Sequence, residues 1–195
     1  MAGVTAWEDN LDGWFEYNVK FAQETLVERG NVGHMLTMHT RLGNVIPVSA
    51  VWTSDDEKER VLALARLLCL AFDVVAVGWM GEAWLVDHPS PAEMAVRASA
   101  SPRRKDCLIV SLESRAYSRT RVAIREIVRK DGAGKPLGLR PVELPDGVKA
   151  AGSFACLLPD GEVPADVRDA ALAALEKSGF PIPEEADPRK PPSRH

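Results

Sequence analysis

A basic excess is missing from this chain: 24 lysines and arginines face 28 aspartates and glutamates, giving a formal net charge of -4 and a pI near 5.6. Bulk electrostatics therefore supply no pull toward nucleic acid or an anionic membrane, and any such binding needs a local patch. Cysteine is scarce. Cys69, Cys107 and Cys156 lie far apart and are flanked by Leu, Ile, Ala and Phe. An odd count with no close pair excludes a disulfide framework and zinc-ligand spacing, and reads as buried thiols in a reducing compartment. Long apolar runs are also lacking, since the stretch from Leu67 to Phe72 stops at Asp73 and cannot span a bilayer. The first residues, with Glu8, Asp9 and Asp12, lack the basic start and apolar core of a signal peptide. These absences predict a cytoplasmic protein with no membrane partner.

Signature motifs of common enzymes are absent as well. The sequence has no Gly-x-x-x-x-Gly-Lys-Ser/Thr loop, no Gly-x-Gly-x-x-Gly, no Gly-x-Ser-x-Gly elbow and no His-Glu-x-x-His. No cofactor and no metal site are expected from it.

What is present is an ordinary globular composition of 195 residues, 46% apolar and 27% charged. A chain of this length buries roughly 70% of its unfolded surface and needs no covalent staple. One α+β domain over residues 1–180 is expected. Beyond it, residues 181–195 are dominated by proline and charge, which predicts a tail that is disordered or ordered by a partner.

Residues 11–29 read as a helix. Phe15, Val19, Ala22 and Leu26 form its inner stripe, Trp14, Tyr17 and Phe21 widen it, and Gly30 stops it. Two β-rich stretches follow, His34 to Arg41 and Val45 to Trp52, around the Gly43-Asn44 turn. Pro47 makes the second an edge or irregular strand. Ser54 and Glu57 form a capping box that opens a central buried helix over about 54–72. Val74 to Val86 is a long strand with possible bends at Gly78 or Gly81, and strand, helix and strand over 45–86 fit a crossover. A Pro/Ser/Ala-rich loop over 87–105 leads to strands at Cys107 to Glu113 and Ser118 to Lys130, with short partners at Leu137 to Leu144 and Gly152 to Leu158. A last helix begins near Pro164, points Val167, Ala171, Leu172 and Leu175 inward, and stops at Gly179. The predicted architecture is a mixed, mainly antiparallel sheet with the 54–72 helix on one face and terminal helices beside it.

Three blocks recur in order: Gly81-Glu82-Ala83-Trp84, the apolar strand from Asp106 to Glu113, and the Arg-rich run from Ala123 to Arg129. With the preceding Ser54-Asp55-Asp56-Glu57-Lys58 helix start, they resemble an uncharacterised family of small bacterial and phage or prophage proteins. In that family a strand ending in Glu-Ala-Trp precedes a Pro-rich loop, an Arg-Arg or Asp-Arg element, an apolar strand and an Arg-rich strand. The likeness covers roughly residues 34–158 and leaves out the first helix and the tail. It implies an α+β fold and a mobile-element context. It transfers no catalytic residues.

Chemistry can be assigned to few side chains. Glu82 shares a strand face with Met80, Trp84 and Val86, and Glu126 shares one with Val122, Ile124 and Val128. A carboxylate on an apolar face must be paired, protonated or set in a cavity. Two on neighbouring strands can serve acid–base or metal-assisted hydrolysis; each held by an arginine or backbone donors would be structural. The opposite face of the second strand carries Arg119, Arg121, Arg125 and Arg129, a row that suits phosphates or an acidic partner, or that pairs with Glu113 or Glu143 on a neighbouring strand. His34 and His39, five apart, fall on opposite faces and form no chelating pair; His34 and His88 read as solvated turn residues. Trp79 and Trp84 read as core, with an exposed one marking an interface. The expected function is a non-enzymatic binding or assembly protein that self-associates or engages a protein partner. The alternatives are a hydrolase built on Glu82 and Glu126, and phosphate or nucleic-acid binding through the arginine row.

Overall fold

The computed structural model describes residues 11–86, 90, 98–115, 120–130, 134–143, 157–159, 161–182 and 187. They form a six-stranded sheet between two helical layers. In chain order the elements are α1 (Leu11–Arg29), β1 (Met35–Thr40), β2 (Val45–Ser49), α2 (Asp55–Ala71), β3 (Val74–Leu85), a 3-10 turn (Ala98–Ala100), β4 (Lys105–Ser114), β5 (Arg121–Arg129), β6 (Pro136–Pro141) and α3 (Ala165–Lys177). The sheet order is β2-β1-β3-β4-β5-β6, with every neighbouring pair antiparallel. β2 and β3 consequently run parallel, with β1 inserted between them, so α2 crosses over β1 as the strand–helix–strand pattern implied.

α2 starts as its sequence dictates. Ser54 Oγ accepts from the Glu57 N–H at 3.2 Å. The return half of the capping box shifts by one residue, with Glu57 Oε2 accepting from Thr53 N at 2.6 Å and Thr53 Oγ1 at 2.7 Å. Leu62, Ala65, Leu68, Cys69 and Ala71 are its buried face, and the rest of its apolar surface is half-buried. They pack with Ala171, Leu172 and Leu175 of α3 against Leu36, Met38, Ile46, Val48 and Val77 of the sheet. Val167, expected to point inward from α3, is exposed. Ile182 packs against this core, so the boundary expected at residue 180 falls too early for that side chain.

α1 lies on the opposite face rather than beside α2. Leu11, Phe15, Val19, Ala22 and Leu26 cover Ala76, Met80, Leu108, Val110, Leu112 and Ile127. Tyr17 and Phe21, assigned to this stripe from their hydrophobicity, are exposed. The angular position of residue 17 on a helix is far from that of residue 15 or 19, and the core here is already filled.

β3 pairs with β4 through Gly78 and Gly81 without a shift of register. A Cβ at 78 would collide with Thr37 Oγ1 and lie 3.0 Å from Asn18 Nδ2, and one at 81 would collide with His34 Nδ1. Each glycine gives its space to a polar neighbour on a different face of the sheet. The strand expected at Gly152 to Leu158 falls mostly outside the described residues, as do Arg119 and His88. No helix among the described residues is long and apolar enough to cross a membrane.

Candidate functional site

Pairing register decides what the two candidate carboxylates can do together. Glu82 is opposite Leu108 on β4, and Leu108 is opposite Arg125 on β5. Glu126 is opposite Cys107, one residue away, so it projects from the other face of the sheet. The two carboxylates share no site. Glu82 accepts from Arg129 Nη2 at 2.7 Å and from Val32 N at 2.8 Å. Glu126 lies 3.7 Å from Lys105 Nζ. Glu82 has the arginine and the backbone donor of the structural alternative, whereas Glu126 faces a lysine instead.

The arginine row is real but faces a helix. Arg121, Arg125 and Arg129 occupy the α1 side of β5. Arg121 pairs with Asp12 and, at 3.8 Å, with Glu16, while its guanidinium lies 4.5 Å from the Phe15 ring centre. Arg129 Nη1 donates to Gly30 O at 2.9 Å and to Gly134 O, and its Nη2 goes to Glu82. Arg125 Nη1 donates to Ile124 O at 3.1 Å. The row therefore seats α1: acidic side chains of its first turns meet Arg121, and the carbonyl end of its dipole meets Arg129. The acidic partners are Asp12 and Glu16 of α1 for Arg121 and Glu82 of β3 for Arg129, not Glu113 or Glu143.

Beneath α1 sits a set of polar groups that the periodicity did not reveal. Asn18, Thr37 and His39 are buried, and Asn18 Nδ2, Thr37 Oγ1 and His39 Nε2 have no hydrogen-bond partner among the described residues. Trp14 packs edge-on against His39 at 4.8 Å, and burial pushes the His39 imidazole down to about 4. On the other face His34 is stacked between Trp52 at 4.3 Å and Trp79 at 5.8 Å, so it is no solvated turn residue. Burial lowers its pKa; Glu82 opposes that shift and Lys58 adds to it. No group of three or more His, Cys, Asp or Glu among the described residues is placed to hold a metal ion.

A third cluster was missed outright from the sequence. Asp73 follows α2 with φ of 45°, a left-handed conformation that aspartate tolerates better than most residues. Arg41 Nε donates to its Oδ2 at 2.7 Å and Arg115 Nη1 to its Oδ1 at 3.0 Å. Burial works to raise the Asp73 pKa, and the two arginine hydrogen bonds outweigh it, holding the carboxyl below its ordinary value. The one available signal was an aspartate where a helix stop usually carries glycine.

Among the exposed apolar side chains of the described residues, aromatic rings stand at two places. On α1, Tyr17 is 59%, Phe21 38% and Val27 53% exposed, and the Tyr17 and Phe21 rings stack at 6.3 Å. At the end of β3, Trp84 is 51% exposed with the Arg104 guanidinium 5.7 Å from its ring centre. Trp79 packs against the core, so of the two tryptophans Trp84 is the interface candidate. No family model matches the chain, and neither a curated protein nor a solved structure matches it at a significant level.

Proposed function

We propose that the chain is a non-enzymatic assembly protein that self-associates through the outer face of α1. The observation that carries this reading is the exposed Tyr17–Phe21 stack on the outer face of the helix. Paired aromatics open to water on a helix that is otherwise docked are the side chains that anchor protein interfaces. Lys20 and Glu24 flank them 3.8 Å apart, so a second copy running antiparallel meets charges of opposite sign.

The sheet edges favour a face over strand addition. Ala50 N donates to His34 O and Thr40 N to Asn44 O, which fixes Leu36–Val48 and Met38–Ile46 as the bonded pairs of β1 and β2. Pro47 falls between them and presents no N–H to the open edge. Val142 N donates to Ile124 O, and the same parity puts Pro141 outward on β6. Both edges are blunted against pairing. The pattern-level likeness to phage and prophage proteins supports a mobile-element context for such an assembly, and the buried, non-disulfide thiols of Cys69 and Cys107 suit a reducing cytoplasm.

Light scattering across a concentration series tests the reading. The wild type is expected to show a dimer mass, and Tyr17→Ser with Phe21→Ser a monomer mass at unchanged thermal midpoint. A wild type that stays monomeric at high concentration overturns it.

Trp84 under Arg104 supports a second reading, a phosphate-bearing partner such as a single-stranded nucleic acid stacking at that end of the sheet. The inward-turned row of Arg121 and Arg129 contributes little to it. Absence of binding to single strands at about 50 mM salt, where phosphate contacts are strongest, removes this reading.

A further inference from the structure

Arg115 closes β4 and meets the junction between α2 and β3. Its Nη1 is engaged by Asp73 Oδ1 at 3.0 Å. Its Nε and Nη2 are buried and have no hydrogen-bond partner among the described residues. The second Asp73 oxygen accepts from Arg41 Nε, so the aspartate meets Arg115 at Nη1 and leaves the Nε–Nη2 edge of that guanidinium unengaged. Glu162 lies 3.8 Å from Arg41 Nη2 with its side chain 88% exposed, so solvent screens its charge. Two guanidinium groups thus converge on the sheltered Asp73 carboxylate.

We propose that the Nε–Nη2 edge of Arg115 is a binding site for a carboxylate. That edge is planar and presents two parallel N–H groups at the spacing of two carboxylate oxygens, which is the geometry of bidentate recognition. Buried donors of a permanent cation left unpaired are costly, and a ligand that satisfies both removes that cost. A singly charged planar acid suits the place better than a phosphate dianion, because Asp73 stands directly beside it. Glu113 is also near: it and Arg115 both act electrostatically on the Cys69 thiol. Because both nitrogens are covered, the acid enters with a local opening at this end of the sheet, where the β1–β2 turn, the α2–β3 junction and the end of β4 meet.

The probes are sodium acetate, for a free small acid, and N-acetylglycine against its amide, for the carboxyl end of a chain. Each is titrated at constant ionic strength against sodium chloride while the thermal midpoint and the Arg115 Nε–H signal are followed. A rise in midpoint and a shifted Nε–H resonance are expected with acetate or N-acetylglycine but not with the amide; whichever acid acts at lower concentration identifies the source. Arg115→Lys keeps a cation for Asp73 and lacks the fork, so it is expected to fold and to lose the response. Should that variant not fold, the Nε–H signal of the wild type decides alone. No midpoint change beyond that of chloride, a response retained in Arg115→Lys, an unmoved Nε–H resonance, or an equal response to inorganic phosphate overturns the proposal.

Discussion

The hydroxyl of Thr37 occupies the space that a side chain at Gly78 would need, directly across the β1–β3 pair. Asn18 of α1 leans into the same space, so the glycine is a packing requirement of the helix–sheet seam. Gly78→Ala is expected to destabilise the fold by roughly 1–3 kcal/mol, the usual cost of overpacking. Gly138, where an added Cβ meets nothing within 4 Å, supplies the comparison. Denaturant midpoints should fall for Gly78→Ala and stay nearly level for Gly138→Ala.

Asp73 ties three connections together through Arg41 and Arg115. Asp73→Asn keeps a residue that tolerates the left-handed backbone while removing the charge, and is expected to cost roughly 3 kcal/mol by taking from Arg115 the carboxylate it pairs with. The carboxyl has a depressed pKa in the folded state. Its contribution is therefore fully present above the ordinary carboxylate value of about 3.9 and is lost as pH falls through the lower folded value. Acid unfolding of the wild type should show this loss, and the Asn variant should not.

His39 titrates near 4 in the folded protein because burial opposes its charged form. The unfolded chain binds a proton at about 6.5, so stability is fully present above that pH and declines below it. The slope between the two values approaches about 1.4 kcal/mol per pH unit. His39→Gln is expected to flatten this part of the stability profile, measured by urea unfolding at several pH values between 7.5 and 4.5.

Leu68 is fully buried under the sheet and Leu64 only half so. Leu68→Ala should cost roughly 2–5 kcal/mol, with Leu64→Ala well below it. Cys69 lies next to Leu68, and its thiol is pushed up to about 12 by burial, with Glu113 adding and Arg115 opposing. It should resist alkylation at pH 8 until the chain unfolds, since the thiolate is the reactive form. Mass spectrometry after timed labelling checks this.

Local chemistry made much of the fold legible. The span of α1, the Ser54 start of α2 and the edge position of β2 each follow from short-range signals: periodicity, a cap and a proline. The relation between Glu82 and Glu126 did not. Alternation assigns residues to faces within one strand, but a register displaced by one residue exchanges the faces of its neighbour, and nothing in residues 82–126 alone sets that register. The arginine row was visible as a row, whereas its acidic partners are far off in sequence, on α1 for Arg121 and on β3 for Arg129. Tyr17 and Phe21 were misplaced because hydrophobicity alone does not say that a core is already full.

The seating of α1 also makes a ruler of the strand beneath it. From Asp12 to Gly30 a helix rises about 27 Å, and from Arg121 to Arg129 a strand runs about 27 Å. Both ends of the helix are held by arginines of that one strand. The two lengths must stay commensurate: one added helical turn, or two added strand residues, leaves one anchor out of reach. Substitutions along α1 can therefore be many, while insertions and deletions between residues 12 and 30 are expected to be rejected wherever the helix remains docked.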